Sequence, residues 1–365
     1  MDKYPTQPAM KRGKFSASLL TSLLSLLLIY SATNSSAQQR CLLALSKTDH
    51  TLAMVDPATL KVIAKMPVGS DPHEVIASAD GKTAYVTIYG GGSLHEIDVI
   101  DLATKRSLAP IDTKPFLGPH GITFAAGKVW FTAEGSKSVA RFDPATHAFD
   151  WAMGTGQDRT HMIYVTPDAK RIYTTNVSSG TVSILQDTLI RPRNFGPPPN
   201  GKQAGPPPGS TPQPRHDWVQ TVIAVSRGSE GFDVSPDSKQ LWTAAADDGT
   251  IAVIDLASKA VVEKLDAKVI GANRLAFTPN GKRVLISSLR NGDLVVYDAA
   301  SRKEIKKINI GHGAAGVLVD SNGSRAFIGC TPDNYVAVVD LHTLEVTGHI
   351  DVGGGPDGLA WATRQ

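Results

Sequence analysis

Asp71-Pro72-His73-Glu74-Val75-Ile76-Ala77-Ser78-Ala79-Asp80-Gly81-Lys82-Thr83-Ala84-Tyr85-Val86-Thr87 is the stretch whose reading decides the fold of this 365-residue chain. It reads as a loop, a strand at 75–78, a tight turn and a second strand at 85–88, both strands being rich in β-formers. Asp80-Gly81-Lys82 marks the turn, because glycine supplies the positive φ that tight hairpins need. Variants recur along the chain. Further inner strands are expected at 122–125, 232–235 and 275–278. Second strands are expected at 129–132, 172–175, 241–244, 284–287 and 326–329. Matching turns stand at Asp237-Ser238-Lys239, Asn280-Gly281-Lys282 and Asn322-Gly323-Ser324.

An Asp that closes the third strand of each unit gives a ruler: Asp56, Asp101, Asp143, Gln186 in its place, Asp255, Asp298 and Asp340. Successive steps are 45, 42, 43, 69, 43 and 42 residues. A period near forty with four strands per unit is the signature of a β-propeller blade. The Asp itself is expected to accept local backbone hydrogen bonds in the turn to the outermost strand. Units begin near 72, 119, 160, 230, 273 and 314, which makes six complete blades. Residues 40–68 supply three strands, and Gly355-Pro356-Asp357-Gly358-Leu359-Ala360-Trp361-Ala362 supplies an inner one. The two ends together complete a seventh blade. The fold class is therefore all-β, a seven-bladed propeller closed by its C-terminal strand.

The long step holds an insertion at about 191–217. Its Phe195-Gly196-Pro197-Pro198-Pro199 and Gly205-Pro206-Pro207-Pro208-Gly209 cannot pack a core and read as a loose loop or a docking segment, on the face opposite the histidines described next. Aligning blade ends sets Cys41 and Cys330 about five residues apart along equivalent strands, roughly 16 Å at ~3.3 Å per residue. A disulfide tolerates only about 7 Å between Cα atoms, so both thiols are expected to be unpaired.

Residues 1–37 read as a signal peptide. Lys11, Arg12 and Lys14 precede a Leu-rich, uncharged run at 18–30, and Ser35-Ser36-Ala37 offers a cleavage site, with Ala32 as a second choice. A retained anchor is the rival reading. The run is short for a span, so no transmembrane segment is expected after cleavage of 1–37, and the propeller would occupy 38–365 in the periplasm or outside the cell. The whole chain carries a formal charge of +3, all of it accounted for by Lys3, Lys11, Arg12 and Lys14 against Asp2. The remainder is near neutral, which gives no field for nucleic acid or anionic membrane. A closed ring also has little need to pair its edges, and a monomer is expected.

The turns that enter the inner strands converge on the mouth of the central channel. Read round the ring they carry His73, His120, His161, Glu230, Asn273 with Arg274, His312 with Ala314 and Ala315, and Asp357. Loops further out add Tyr89, His95, Glu134, Asn176, Asp247, Arg290 and Asp333. Imidazoles with carboxylates suit a divalent metal such as Zn, Cu, Fe or Ni, and His73, His120 and His161, from consecutive blades, form the expected trio. Each Pro-His pair can equally be a structural element that bonds a neighbouring blade's backbone. No Cys-x-x-Cys-His, Gly-x-Ser-x-Gly, Walker loop or His-Glu-x-x-His is present. Covalent haem, serine-hydrolase and nucleotide chemistry are therefore disfavoured.

Tyr85-Val86-Thr87-Ile88, with Pro72-His73 before it and the repeats at 231–237 and 275–282, resembles the YVTN-type propeller family over essentially all of 40–362. That superfamily includes seven-bladed lactonases, streptogramin-lyase-like proteins, surface-layer proteins and the haem d1 domain of nitrite reductase. In its lactonase-like and lyase-like branches, mouth histidines and acids are implicated. By position this implies roles for His73, His120, His161, His312 and Glu134. The expected function is small-ligand binding at the mouth, with a metal. If there is catalysis, it is hydrolysis or elimination on a lactone-like or ester-like substrate. A metal or Arg274 would then polarise a carbonyl, His120 or His161 would move the proton, and Glu134 or Glu230 would orient it. His312, Glu230, Asn176 and Asp357 are the expected ligand contacts. The alternatives are a non-catalytic scaffold with a protein partner and, third, an electron-transfer accessory domain.

Overall fold

The structure is a computed structural model and describes residues 40–191 and 213–363. The expected signal segment at 1–37 and most of the proline-rich insertion lie outside the described residues. Seven antiparallel sheets form the seven-bladed propeller that the repeat predicts. Blade one joins the inner strand Pro356–Thr363 to Arg40–Ser46, Thr51–Asp56 and Lys61–Pro67, so the two ends of the chain close the ring. The inner strands of blades two to seven are Pro72–Ala77, Pro119–Ala125, Thr160–Val165, Ser229–Val234, Ala272–Phe277 and Ala314–Val319. A single 3-10 turn, Gly90–Gly92, is the one helical element among the described residues. No helix there is long and apolar enough to cross a membrane.

Sheet packs on sheet, so second strands are buried on both faces and read as unbroken apolar runs. Leu42, Leu43, Ala44 and Leu45 are fully buried, as are Ala84 and Val86. Each large aliphatic of this kind contributes about 1.5–3 kcal/mol. The outermost strands alternate instead, as Lys61–Pro67 shows. The Asp series behaves as expected. Asp56, Asp101, Asp143, Asp255, Asp298 and Asp340 each accept a backbone N–H two or three residues on. Neither Cys41 nor Cys330 forms a disulfide among the described residues.

Two differences from the sequence reading matter. Blade four's outer ladder runs on to Ile190 and Arg215, so Arg215, His216 and Asp217, expected in the loop, belong to the strand Arg215–Ala224. More important, the inner strands begin about three residues earlier than expected, at Pro72 and not Val75, because every one of them carries a bulge. Pro72 faces Ile88, but Val75 faces Val86, so one extra residue is inserted. The same irregularity falls at the same step in all seven inner strands. The mouth residues therefore sit in strand bulges and not in loops.

In four blades a hydroxyl on the second strand satisfies the backbone that the bulge frees. Thr132 Oγ1 accepts from Gly121 N at 2.9 Å and donates to His161 O in the next blade at 2.5 Å. Thr87 does the same between Glu74 N and His120 O, Thr175 between Met162 N and Glu230 O, and Ser287 between Arg274 N and Ala315 O. The second bulge residue is often glycine for a steric reason: a Cβ on Gly121 or Gly316 would clash with the next blade's carbonyl oxygen.

Candidate functional site

The first residues of the seven bulges are His73, His120, His161, Glu230, Asn273, Ala315 and Asp357, and all seven line one cup of about 330 Å³ at the channel mouth. A bulge re-aims its side chain, which is how one repeat position becomes a ring of convergent groups. The residue just after each second strand forms a second ring. Lys47, Tyr89, Leu289 and Thr331 from it also line the cup, and Glu134 reaches in beneath them.

Four rings pack together. Centroids lie 4.8 Å apart for His73–His120, 3.8 Å for His120–His161, 4.7 Å for His73–Tyr89 and 5.0 Å for Tyr89–His120. Lys47 Nζ donates to His73 Nε2 at 2.8 Å, and His73 Nδ1 lies 3.2 Å from the Asp71 carbonyl. Both His73 nitrogens are thus engaged. His120 and His161 differ: His120 Nδ1 and His161 Nε2 are buried with no hydrogen-bond partner. His161 Nδ1 bonds Glu134, whose other oxygen accepts from the Tyr89 hydroxyl at 2.5 Å. A carboxylate only accepts, so Nδ1 carries a proton, which leaves Nε2 as the ring nitrogen open to a ligand. One ligand atom from each of His120, Glu134 and His161 lies within 4.8 Å of the others, a group able to hold a metal ion. In the expected trio, Glu134 takes the place given to His73.

The electrostatics follow from burial and charge. Burial, reinforced by the neighbouring His161 and His73, pushes His120 well below the usual histidine pKa. Burial also lowers His73, with Lys47 adding to it and Asp357 and Asp71 opposing. For Glu134, burial acts to raise the pKa, but the His161 and Tyr89 hydrogen bonds and the Arg159 charge outweigh it and hold the carboxyl low. Burial and Glu134 together push the Tyr89 hydroxyl up. Lys47, Arg159 and Arg274 line the cup with Glu230 and Asp357, and Asp71, Glu134 and Glu74 pair with the three cations in turn.

The cup has a floor. Arg274 Nε donates to Glu74 Oε1 at 3.2 Å and the terminal guanidinium nitrogen bonds the same oxygen, linking blade six to blade two across the axis. Burial opposes the Arg274 charge, but Glu74, Asp357 and Glu230 raise its pKa further. Below this bar the channel is apolar, lined by Ile76, Ile122, Met162, Phe232, Val317 and Leu359.

The structure brings together His73, His120, His161, Glu134, Glu230, Arg274 and Asp357 of the expected residues. It does not bring in Asn176 or His312. Asn176 is the last residue of its strand and points into the blade, where its amide donates to Thr181 and Ser183 hydroxyls. A one-residue slip reverses the side-chain direction. His312 lies on an exposed loop against Asp333, 2.9 Å away, and Ala315 takes the bulge position of that blade. Arg274, expected to polarise a carbonyl, is committed to Glu74. Sequence reasoning missed Lys47, Glu74 and Arg159. Aligning the residue after each second strand would have found Lys47 beside Tyr89 and Glu134. Arg159 takes the positive-φ position just before the inner strand, which is glycine in five of the seven blades, and its departure from that pattern is the signal that could have found it.

The comparisons with known proteins agree with this architecture. The sequence model for the family described as Cytochrome D1 heme domain matches residues 209–321. A search of curated proteins finds no match. Among solved structures, a functionally unknown protein from Desulfotomaculum acetoxidans DSM 771 superposes with a TM-score of 0.68 at 10% identity, covering 89% of this chain and 99% of that one. A putative 6-phosphogluconolactonase from Bacteroides fragilis NCTC 9343 gives 0.67 at 14%, with 90% and 99% covered. The dihydro-heme d1 dehydrogenase NirN gives 0.58 at 14%, with 87% and 74% covered. At such identities the likeness speaks for the fold. It supports a propeller relationship coarser than the YVTN-type expected from sequence.

Proposed function

We propose that this chain is an exported propeller that binds a small polar ligand at the cup together with a divalent metal ion. The carrying observation is the pair of buried, unpartnered imidazole nitrogens, His120 Nδ1 and His161 Nε2, beside the Glu134 and Glu230 carboxylates. His120 and His161 would hold the ion. Glu134 would orient His161, as carboxylates do for metal-bound imidazoles, and Glu230 Oε2, 4.0 Å from His161 Nε2, would add charge. Bound there, the ion supplies Lewis acidity toward a carbonyl or a water. The donor set suits a haem less well, because haem brings carboxylates of its own into a site already rich in them. Lactonase-like or lyase-like chemistry fits the arrangement, since Glu134 and Tyr89 fix His161 and the floor keeps the reacting region at one end of the channel. Export rests on the sequence of residues 1–37.

A second reading, a non-catalytic interaction propeller, is favoured by the projecting ladder of blade four, which exposes Leu189, Ile190, Val219 and Val222. Metal analysis of purified protein separates the two. Bound metal in the native protein that is lost in His120→Ala and His161→Ala supports the first. Absence of metal in all three, with ligand-induced stabilisation unchanged in the variants, refutes it.

A further inference from the structure

The cup contains two groups of opposite hydrogen-bonding character, the Arg159 guanidinium and the Asn273 amide oxygen, that make no hydrogen bond among the described residues. Arg159 is a rim cation with 43% of its side chain exposed, standing 3.7 Å from Glu134 and 3.6 Å from Glu230. Its side chain makes no hydrogen bond among the described residues, whereas Arg274 is bonded to Glu74 and Lys47 to His73. Its backbone is nonetheless held, because Val177 N donates to Arg159 O at 3.0 Å. Across Glu230 stands Asn273, only 6% exposed. Asn273 Nδ2 donates to Glu230 Oε2 at 2.6 Å. Glu230 can only accept, so the amide orientation is fixed and Asn273 Oδ1 turns away. That oxygen is buried and has no partner. A buried acceptor without a donor is destabilising until a ligand supplies one.

We infer that the ligand is a small carboxylate carrying a hydroxyl, its carboxylate held by the Arg159 fork and its hydroxyl donated to Asn273 Oδ1. The inference rests on the reading of the cup as a metal-assisted ligand site and names the ligand class. Guanidinium matches a planar carboxylate through paired N–H donors. The orphaned amide oxygen discriminates for a donor, since a ligand without one leaves it unsatisfied. Both groups flank the single Glu230 carboxylate, so carboxylate and hydroxyl must be a few bonds apart. A divalent ion bound beside these groups would add positive charge and strengthen the hold on an anion.

Isothermal titration with ω-hydroxypentanoate, pentanoate and the terminal pentane-diol tests this on both Zn(II)-loaded and chelator-treated protein. The hydroxy acid is expected to bind at least about tenfold tighter than either single-function probe, a difference of about 1.4 kcal/mol. Arg159→Gln should abolish the advantage over the diol, and Asn273→Leu the advantage over pentanoate. Zn(II) content, measured in each sample, should not change in either variant. Equal binding of the three probes to the native protein, or binding of none, overturns the inference. That ranking stands even if a variant fails to fold. Absence of Zn(II) uptake would count against the metal reading alone, because the ranking on chelator-treated protein still decides the ligand class.

Discussion

Arg274 in blade six and Glu74 in blade two, 200 residues apart in the chain, are joined by an ion pair across the propeller axis. Both side chains are about 90% buried. The pair ties opposite walls of the ring and separates a polar cup from an apolar channel.

Removing Glu74 takes from the buried Arg274 its nearest counter-charge and leaves only the more distant Glu230 and Asp357 to offset it. Glu74→Gln is expected to destabilise the protein by about 3–5 kcal/mol, and replacing both with apolar residues to recover most of that loss. Denaturant unfolding of the two single variants and the double variant checks it. A Glu74→Gln loss below about 0.5 kcal/mol would show that the bar contributes little.

Stability should fall in acid. His120 and His73 have depressed folded-state values, so they are neutral in the fold and take up protons only on unfolding. Their contribution is present above the unfolded value of about 6.5 and is lost as pH drops below it. Glu134, also depressed, contributes above the unfolded carboxylate value and loses that contribution as pH falls through its folded value. In metal-free protein, His120→Asn should flatten the decline between about pH 6.5 and 5. The same slope in the variant would contradict the assignment.

The hydroxyl bridges set the bulges. Thr132→Val strands both Gly121 N and His161 O inside the protein and is expected to cost about 1–3 kcal/mol. It should also weaken metal uptake, because the backbone of His161 loses its anchor. Chemical unfolding and metal content read the two effects separately. Unchanged metal uptake in a destabilised variant would confine Thr132 to the scaffold.

Much of this was legible in the sequence. Asp56 through Asp340 gave blade number and closure, since a turn that must satisfy its own backbone keeps its Asp. His73, His120, His161, Glu230 and Asp357 stood out because a repeat position with changing chemistry faces something other than the core. The bulges were not legible. Glycine follows the inserted residue in four of them, Gly121, Gly231, Gly316 and Gly358, but the inserted residue itself changes from blade to blade, so Asn176 falls one residue short of Val177, which follows its strand, and His312 three residues from Ala315. Nor was the Glu74–Arg274 pair, because contact across an axis joins positions with no relation in sequence. Arg159 stands at the positive-φ position before its inner strand, where five of the other six blades have glycine.

The hydroxyl bridges have one more consequence. Each Thr or Ser touches only the backbone of the mouth residues, never their side chains. The ring is therefore indifferent to what those side chains are. Histidine, glutamate, asparagine, alanine and aspartate already occupy equivalent places in this one chain. A propeller built this way can exchange its chemistry one blade at a time while its architecture stays put, which makes the mouth the most evolvable surface of the molecule and the girdle beneath it the least.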